Sequence, residues 1–170
     1  MGRKEVVLVT SAVAAHLQSR GISHEVIPHT RAFTSISEAA ALGIDADEVL
    51  KTIVLQTSTG RVLGVIPGSR RLDMRLVHHA VDDPHARLET EEELERELPG
   101  YELGAFPPIG SLLEARLFVD PEVMAREHVV FAAGSQTESI RARVDDLFKD
   151  EDVHVVPLAR QPDEEEDHLA

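Results

Sequence analysis

The stretch from Lys51 to Pro67 constrains the fold more than any other part of this chain. Two apolar runs, Lys51-Thr-Ile-Val-Leu-Gln-Thr57 and Arg61-Val-Leu-Gly-Val-Ile-Pro67, flank the turn-forming Ser58-Thr-Gly60. Runs of this kind joined by turn residues read as an antiparallel hairpin. Both strands are expected to be central, so the sheet must be built outward from them. Lys51 stands at the mouth of the first strand, where its long cationic side chain either points to water or reaches over into a cleft.

The other elements alternate irregularly around this hairpin. An apolar run at Val6 to Val9 precedes a helix with Val13 and Leu17 inside, capped by Thr10 or Ser11 and ended by Gly21. Ile22 to Pro28 reads as a strand. Ser35 followed by Glu38 suggests a capping box for a helix that stops at Gly43, and Asp45 to Val49 one more turn. After the hairpin come a helix from Met74 to Ala80 and an acidic helix capped by Thr90 with Glu93 at the box position. Strands follow at Ala115 to Asp120, at Val129 to Ala133 ended by Gly134, at Glu138 to Val144 and at Val153 to Val156. Helical turns sit between them at Pro121 to Ala125 and at Asp145 to Lys149. Hairpins without a strict βαβ alternation predict an α+β (mixed α/β) fold, with a mostly antiparallel mixed sheet carrying helices. Residues 1–157 are expected to form one domain, and residues 158–170 an acidic, disordered tail.

The formal charge of −14 argues against a protein that coats nucleic acid, because such binding depends on cations neutralising phosphates. Its location matters, however. Glu89 to Glu97 holds −5 and Asp163 to Asp167 another −5, which leaves −4 for everything else. The body is nearly balanced, so a local contact to the end of a nucleic acid stays open. Without cysteine the chain has no disulfide and no thiolate chemistry, and a cytoplasmic site is the default. Its apolar runs are shorter than the ~20 residues of a membrane span, and no signal-type segment is visible at the start. His78, His79 and His85 lack metal-ligand spacing, so neither a metal nor a cofactor is assigned. Arg70 and Arg71 either touch phosphate or are solvated.

Pro99-Gly-Tyr-Glu-Leu-Gly-Ala-Phe-Pro-Pro-Ile-Gly110 concentrates three glycines and three prolines in twelve residues. Proline fixes φ and glycine lets backbone approach a ligand, so the segment reads as a rigid loop exposing chosen N–H groups, or simply as a turn.

Several pieces in order carry a resemblance. Lys51-Thr-Ile-Val-Leu, Val65-Ile-Pro67-Gly68 with Arg71-Leu-Asp73, Gly104-Ala-Phe-Pro-Pro108-Ile-Gly110, Phe118-Val-Asp120 and Phe131-Ala-Ala-Gly134-Ser resemble the YbaK/ProX family of aminoacyl-tRNA editing domains over about residues 11 to 150. The resemblance implies a sheet bent around a pocket and flanked by helices. It also implies a metal-independent deacylase, without cofactor, that hydrolyses the ester joining a wrong amino acid to the terminal adenosine. Its partners would be the acceptor end of aminoacyl-tRNA and a synthetase.

Carried over residue by residue, Lys51 is similar to the family's essential lysine, and Gly104 with Pro108 to its G-x-x-x-P loop. Phe33, Thr34, Ser35, Pro67, Gly134 and Ser135 match regions bordering its pocket. A glycine N–H can approach a developing oxyanion unobstructed, and the resemblance implies that the substrate's own ribose hydroxyl helps position or activate water. Ser111 and Gln136 stand where related sequences often carry histidine, and the paired lysines of the cysteine-removing branch are missing after Gly110. Neither the amino acid removed nor the oligomeric state is set by these residues. The alternative is a non-catalytic module of the same fold that binds an aminoacyl adenosine, tRNA or a synthetase.

Overall fold

A computed structural model describes residues 12–161. The run at Val6 to Val9, the cap at Thr10 or Ser11 and the acidic tail from Pro162 lie outside the described residues. Helix α1 (12–19) buries Val13 and Leu17, four residues apart on one face, and closes at Gly21 with φ +69°. Strand β1 follows at His24–Pro28 and helix α2 at Ser35–Leu42.

The α2 cap sits one residue before the expected one. Thr34 is the N-cap: its hydroxyl accepts the Ser37 N–H at 3.1 Å, and the Ser37 hydroxyl accepts the Thr34 N–H at 3.0 Å. Ser35 and Glu38 are unavailable for capping because both side chains are turned inward and buried. Gly43 ends the helix at φ +69°, as its position predicts, and a short 3₁₀ turn, Ala46–Glu48, leads into the hairpin.

The hairpin forms with β2 at Leu50–Thr57 and β3 at Gly60–Pro67, in register from Leu50 opposite Pro67 to Thr57 opposite Gly60. Outside it, a two-residue strand that the sequence does not announce, β4 (Arg87–Leu88), pairs with β2. On the other side β3 runs parallel to β5 (Arg116–Val119), and β5 parallel to β8 (Val153–Val155). A second, antiparallel sheet holds β1, β7 (Glu138–Arg143) and β6 (His128–Ser135) in that order. The bend expected of one sheet is therefore a break between two, bridged where Val49 meets Val130. Helices α3 (Met74–Val81), α4 (Glu91–Glu97), α5 (Gly110–Leu113), α6 (Pro121–Met124) and α7 (Val144–Leu147) complete the α+β architecture.

Alternation along the hairpin divides the core. Val54, Leu63 and Val65 face α1 and the smaller sheet, packing with Leu17, Phe131 and Ile140. Leu55, Val62 and Ile66 face the other way, against Val77 of α3, Phe118 and Leu158. Each fully buried aliphatic side chain contributes about 1.5–3 kcal/mol. Both faces of the hairpin are covered, which is why its strands are apolar throughout rather than alternating.

The ordered body extends past the expected boundary at residue 157. Leu158 and Ala159 are buried, and their N–H groups donate at 2.9 and 3.1 Å to Oδ2 of Asp120. The other oxygen of Asp120 caps α6 through the Glu122 N–H at 3.0 Å. One carboxylate thus joins the end of β5, α6 and the last described segment. Replacing Asp120 by Ala orphans two buried donors and a helix cap, and we expect a loss of about 2–4 kcal/mol in urea denaturation, with Asp120→Asn intermediate.

Candidate functional site

The proline- and glycine-rich segment is a shaped loop, and backbone bonds hold it. It leaves α4 at Leu98 and enters α5 at Gly110. The Glu102 N–H donates to the Gly134 carbonyl at 2.9 Å, and the Gly134 N–H donates to the Ala105 carbonyl at 2.7 Å. Gly134 can do this because it does not end β6, as expected, but sits in a register shift between Ala132 and Ser135 with φ +85°. The bulge turns its peptide away from β7 and toward the loop.

Side chains reinforce the clamp. Gln136 Nε2 donates to the Leu103 carbonyl at 2.9 Å, the Gln136 N–H donates to Glu102 Oε1 at 2.9 Å, and Arg31 Nη1 reaches both Glu102 Oε2 and Gln136 Oε1 at 2.8 Å. Sequence reading missed Arg31 and Glu102 and took Gln136 only as a departure from a histidine. Separations of 33 to 105 residues leave no local signal for such a clamp. Ser111, the other such position, braces α5 to the chain near its end: its N–H and hydroxyl both donate to Glu151, at 2.9 and 2.7 Å.

At the crest of the loop Gly104 is exposed, with φ +78°. A Cβ there would lie 2.5 Å from the Phe33 carbonyl oxygen, closer than any side chain tolerates. Among the described residues its N–H meets no acceptor. Phe33 beside it is 64% exposed, although an aromatic ring in water is unfavourable. Pro108 is buried under the loop.

Residues 33–35 connect this crest to Lys51. Ser35 is buried against Gly68, where a Cβ would lie 2.8 Å from the Ser35 Cβ and 2.9 Å from the carbonyls of Ala46 and Val49. Two residues on, the Arg70 carbonyl accepts from Lys51 Nζ at 2.9 Å. Lys51 is half-buried, opposite Ile66 in the β2–β3 register, so it neither hangs in water nor stands alone in a cleft.

Arg70 is not a solvated arginine either. Its guanidinium meets Glu122 at 3.1 Å and the Arg160 carbonyl at 3.3 Å. Among the remaining expected lining residues, Thr34 is exposed but engaged as the α2 cap, and Pro67 is buried at the end of β3. Ser135 is fully buried, and its hydroxyl accepts the Thr137 N–H at 3.1 Å, shaping the β6–β7 turn instead of a surface.

An open groove of about 680 Å³ runs from Pro67 and Arg70 to Arg126 and Arg141. Three guanidinium groups share it with four carboxylates, so its charge is mixed. A separate acidic group, Glu89, Glu93 and Glu97, brings carboxylate oxygens within 4.8 Å of one another. Arginines already occupy it: Arg61 meets Glu89 at 3.0 Å and Arg87 meets Glu93 at 2.7 Å. Burial pushes the Glu89 carboxyl up, whereas the Arg87 guanidinium holds Glu93 down at about 2. This constellation braces β3 and β4 to α4. Of the histidines, His78 is spent on the Ala86 carbonyl at 2.9 Å, while His79 and His85 are exposed.

Residues 29–149, a span that includes Lys51 and the whole loop, match the Aminoacyl-tRNA editing domain. The chain belongs to this family. A relative from Enterococcus faecalis, EbsC, whose name assigns it Cys-tRNA(Pro)/Cys-tRNA(Cys) deacylase activity, is 29% identical over 101 residues, covering 59% of this chain and 61% of its own. In fold the editing domain is similar to a solved trans-editing enzyme for prolyl-tRNA synthetase, at TM-score 0.77 and 24% identity over 90% of this chain and 98% of the other. A solved hypothetical protein matches at TM-score 0.78 and 24% identity, over 87% and 99%. Among the described residues, no helix of this editing domain is long and apolar enough to cross a membrane.

The contact between Gly104 and Phe33 gives a direct check. Gly104→Ala forces a side chain into positive φ and against a carbonyl, so we expect a loss of about 1–3 kcal/mol in denaturation. A crystal structure of the variant should show the Phe33 peptide displaced.

Proposed function

We propose that this editing domain acts in trans as a hydrolase that deacylates mischarged aminoacyl-tRNA at the terminal adenosine. The observation that carries the reading is the exposed Gly104, held at positive φ by a clamped loop, whose N–H meets no acceptor among the described residues. A donor fixed in this way needs no reorganisation when charge develops on the ester carbonyl oxygen, which is where electrostatic stabilisation is most effective.

In this reading water adds to the ester carbonyl carbon, assisted by the neighbouring ribose hydroxyl. The bond to the ribose oxygen then breaks, releasing the free amino acid and a tRNA with a free terminal hydroxyl. Gly104 receives the oxyanion. Lys51, positioned by the Arg70 carbonyl, orients the nucleotide or its phosphate, and Phe33 offers its exposed ring to the terminal base. Ser35, Pro67, Pro108 and Gly134 hold these groups in place from beneath, and no metal takes part. The mixed charge of the groove beside Pro67 suits a grip on a few acceptor-end phosphates rather than a long stretch of RNA, consistent with the overall charge of −14. A synthetase that presents the tRNA would supply what this surface lacks.

Deacylation assayed against a matrix of amino acids and tRNAs, with Cys-tRNA(Pro) included, tests the proposal. Turnover of at least one mischarged species is expected, unaffected by a chelator. Lys51→Ala should lower kcat/KM by about 10²-fold while unfolding within about 1 kcal/mol of the wild type. Saturable tRNA binding with no product across the whole panel at enzyme excess would instead identify a binding module.

A further inference from the structure

Among the buried ionisable groups that the reaction outlined above does not use, Glu38 lies nearest the loop that carries Phe33 in sequence. Glu38, one turn into α2, is 4% exposed, and its carboxyl is hydrogen-bonded to the hydroxyl of Ser139 on β7, which is fully buried. The same hydroxyl meets Nε2 of His29 at 2.8 Å. The other ring nitrogen, Nδ1, lies 2.7 Å from the Thr30 carbonyl. A carbonyl can only accept, so Nδ1 carries a proton.

With Nδ1 fixed, both hydrogen bonds of the chain Glu38–Ser139–His29 can be made in only two ways. Either a protonated Glu38 donates to Ser139, which donates to a bare Nε2, or a protonated Nε2 donates to Ser139, which donates to the Glu38 carboxylate. Each arrangement contains one mobile proton. When that proton is removed, a single hydroxyl hydrogen serves two acceptors, one on the buried Glu38 and one on the half-buried His29. A second proton leaves the hydroxyl hydrogen without an acceptor, and unmade bonds of this kind are costly when buried.

This chain lies directly beneath the candidate site. The Glu38 N–H donates to the Thr34 carbonyl at 2.9 Å, in the turn that carries Phe33 and Ser35. His29 begins the segment that leads into it, bonded through its N–H to the Thr137 carbonyl at 2.9 Å, and Ala32 is bonded to the Gln136 carbonyl at 2.8 Å. We propose that Glu38, Ser139 and His29 form a one-proton lock that positions the Phe33–Ser35 wall of the site, and that losing the proton loosens this wall. The role in catalysis rests on the editing reading above; the lock itself does not.

Burial pushes the Glu38 carboxyl up to about 7, against the opposing effect of the Ser139 hydrogen bond. Next to Glu38 on α2, Ala39 packs with Val49 before β2 and Val130 of β6, all apolar. On the face of β7 that carries Ser139 the charged neighbours are Arg141, opposite Glu25 of β1, and Arg143, opposite His128 of β6. Asp47 and Glu48 stand on the 3₁₀ turn. The folded value lies above the ordinary one, so the native state retains a proton that the unfolded chain releases. The associated stability is present at low pH and is lost as pH rises toward and through about 7.

Melting curves of the wild type, Glu38→Gln and Ser139→Ala between pH 5.5 and 8.5, with ¹⁵N spectra of the imidazoles, test the lock. The wild type should lose on the order of 5 °C across this range. Glu38→Gln should stay nearly flat, because its carboxamide donates permanently to Ser139. Ser139→Ala should melt lower at every pH. His29 should show its neutral form protonated at Nδ1. On a deacylated substrate, wild-type KM should rise several-fold at alkaline pH with kcat less affected, and Glu38→Gln should remove that rise. A Glu38→Gln variant that melts in parallel with the wild type overturns the proposal. So does a neutral His29 protonated at Nε2, which needs only wild-type protein. Absence of turnover in every variant would count against the editing reading alone, since melting and tautomer decide the lock.

Discussion

Two backbone hydrogen bonds, between Glu102 and Gly134 and between Gly134 and Ala105, are the constraint on which the candidate site depends. They work because a β-bulge points one peptide of β6 sideways, out of its own ladder, at the Glu102 N–H and the Ala105 carbonyl of the loop. With the loop fixed there, Gly104 sits against the Phe33 carbonyl, where no side chain fits. Glycine adopts this positive φ without a Cβ clash, and the clamp on the loop holds it there.

The site is assembled along a wall rather than within one element. Phe33 touches Gly104, Ser35 touches Gly68, and the Arg70 carbonyl two residues further holds Lys51. In two of these three contacts a glycine lets backbone or Cβ come closer than a side chain would allow, and that closeness fixes the relative positions of a cation and an N–H donor. The acid-rich helix α4, which dominates the local charge, meets this wall only through the loop that follows it. Arg61 and Arg87 offset part of this charge, at Glu97 and Glu93. A net charge of −14 thus coexists with a surface whose mixed groove can accept a few phosphates, because charge acts over roughly a Debye length and not over the whole molecule.

The hairpin, the Gly43 stop, the Thr90–Glu93 box and most strand positions were legible because they rest on local rules: periodicity of two, positive φ at glycine, and a cap three residues from its partner. The errors arose where a local rule had a competitor of longer range. Ser35 and Glu38 satisfy the capping pattern, yet Gly68 and Ser139 claim their side chains, and the cap moved to Thr34. Gly134 has the composition of a strand end, yet the loop it binds keeps it inside β6. Leu158 and Ala159 fall in the expected tail, but Asp120 fixes them into the second core.

By itself the sequence determined the central hairpin, the mixed α+β composition, the absence of cysteine chemistry, the family motifs and the residue types at Lys51 and Gly104. Each is decided by neighbours a few positions away or by composition. Only the tertiary structure decided that Gly104 rests on Phe33, that Lys51 is held by a carbonyl, that Gln136, Glu102 and Arg31 clamp the loop, and that Glu38 is buried in a chain with Ser139 and His29. These contacts join residues separated by up to 110 positions. They exist because covering both faces of one apolar hairpin brings those segments together, and no local pattern records which distant group will be waiting there.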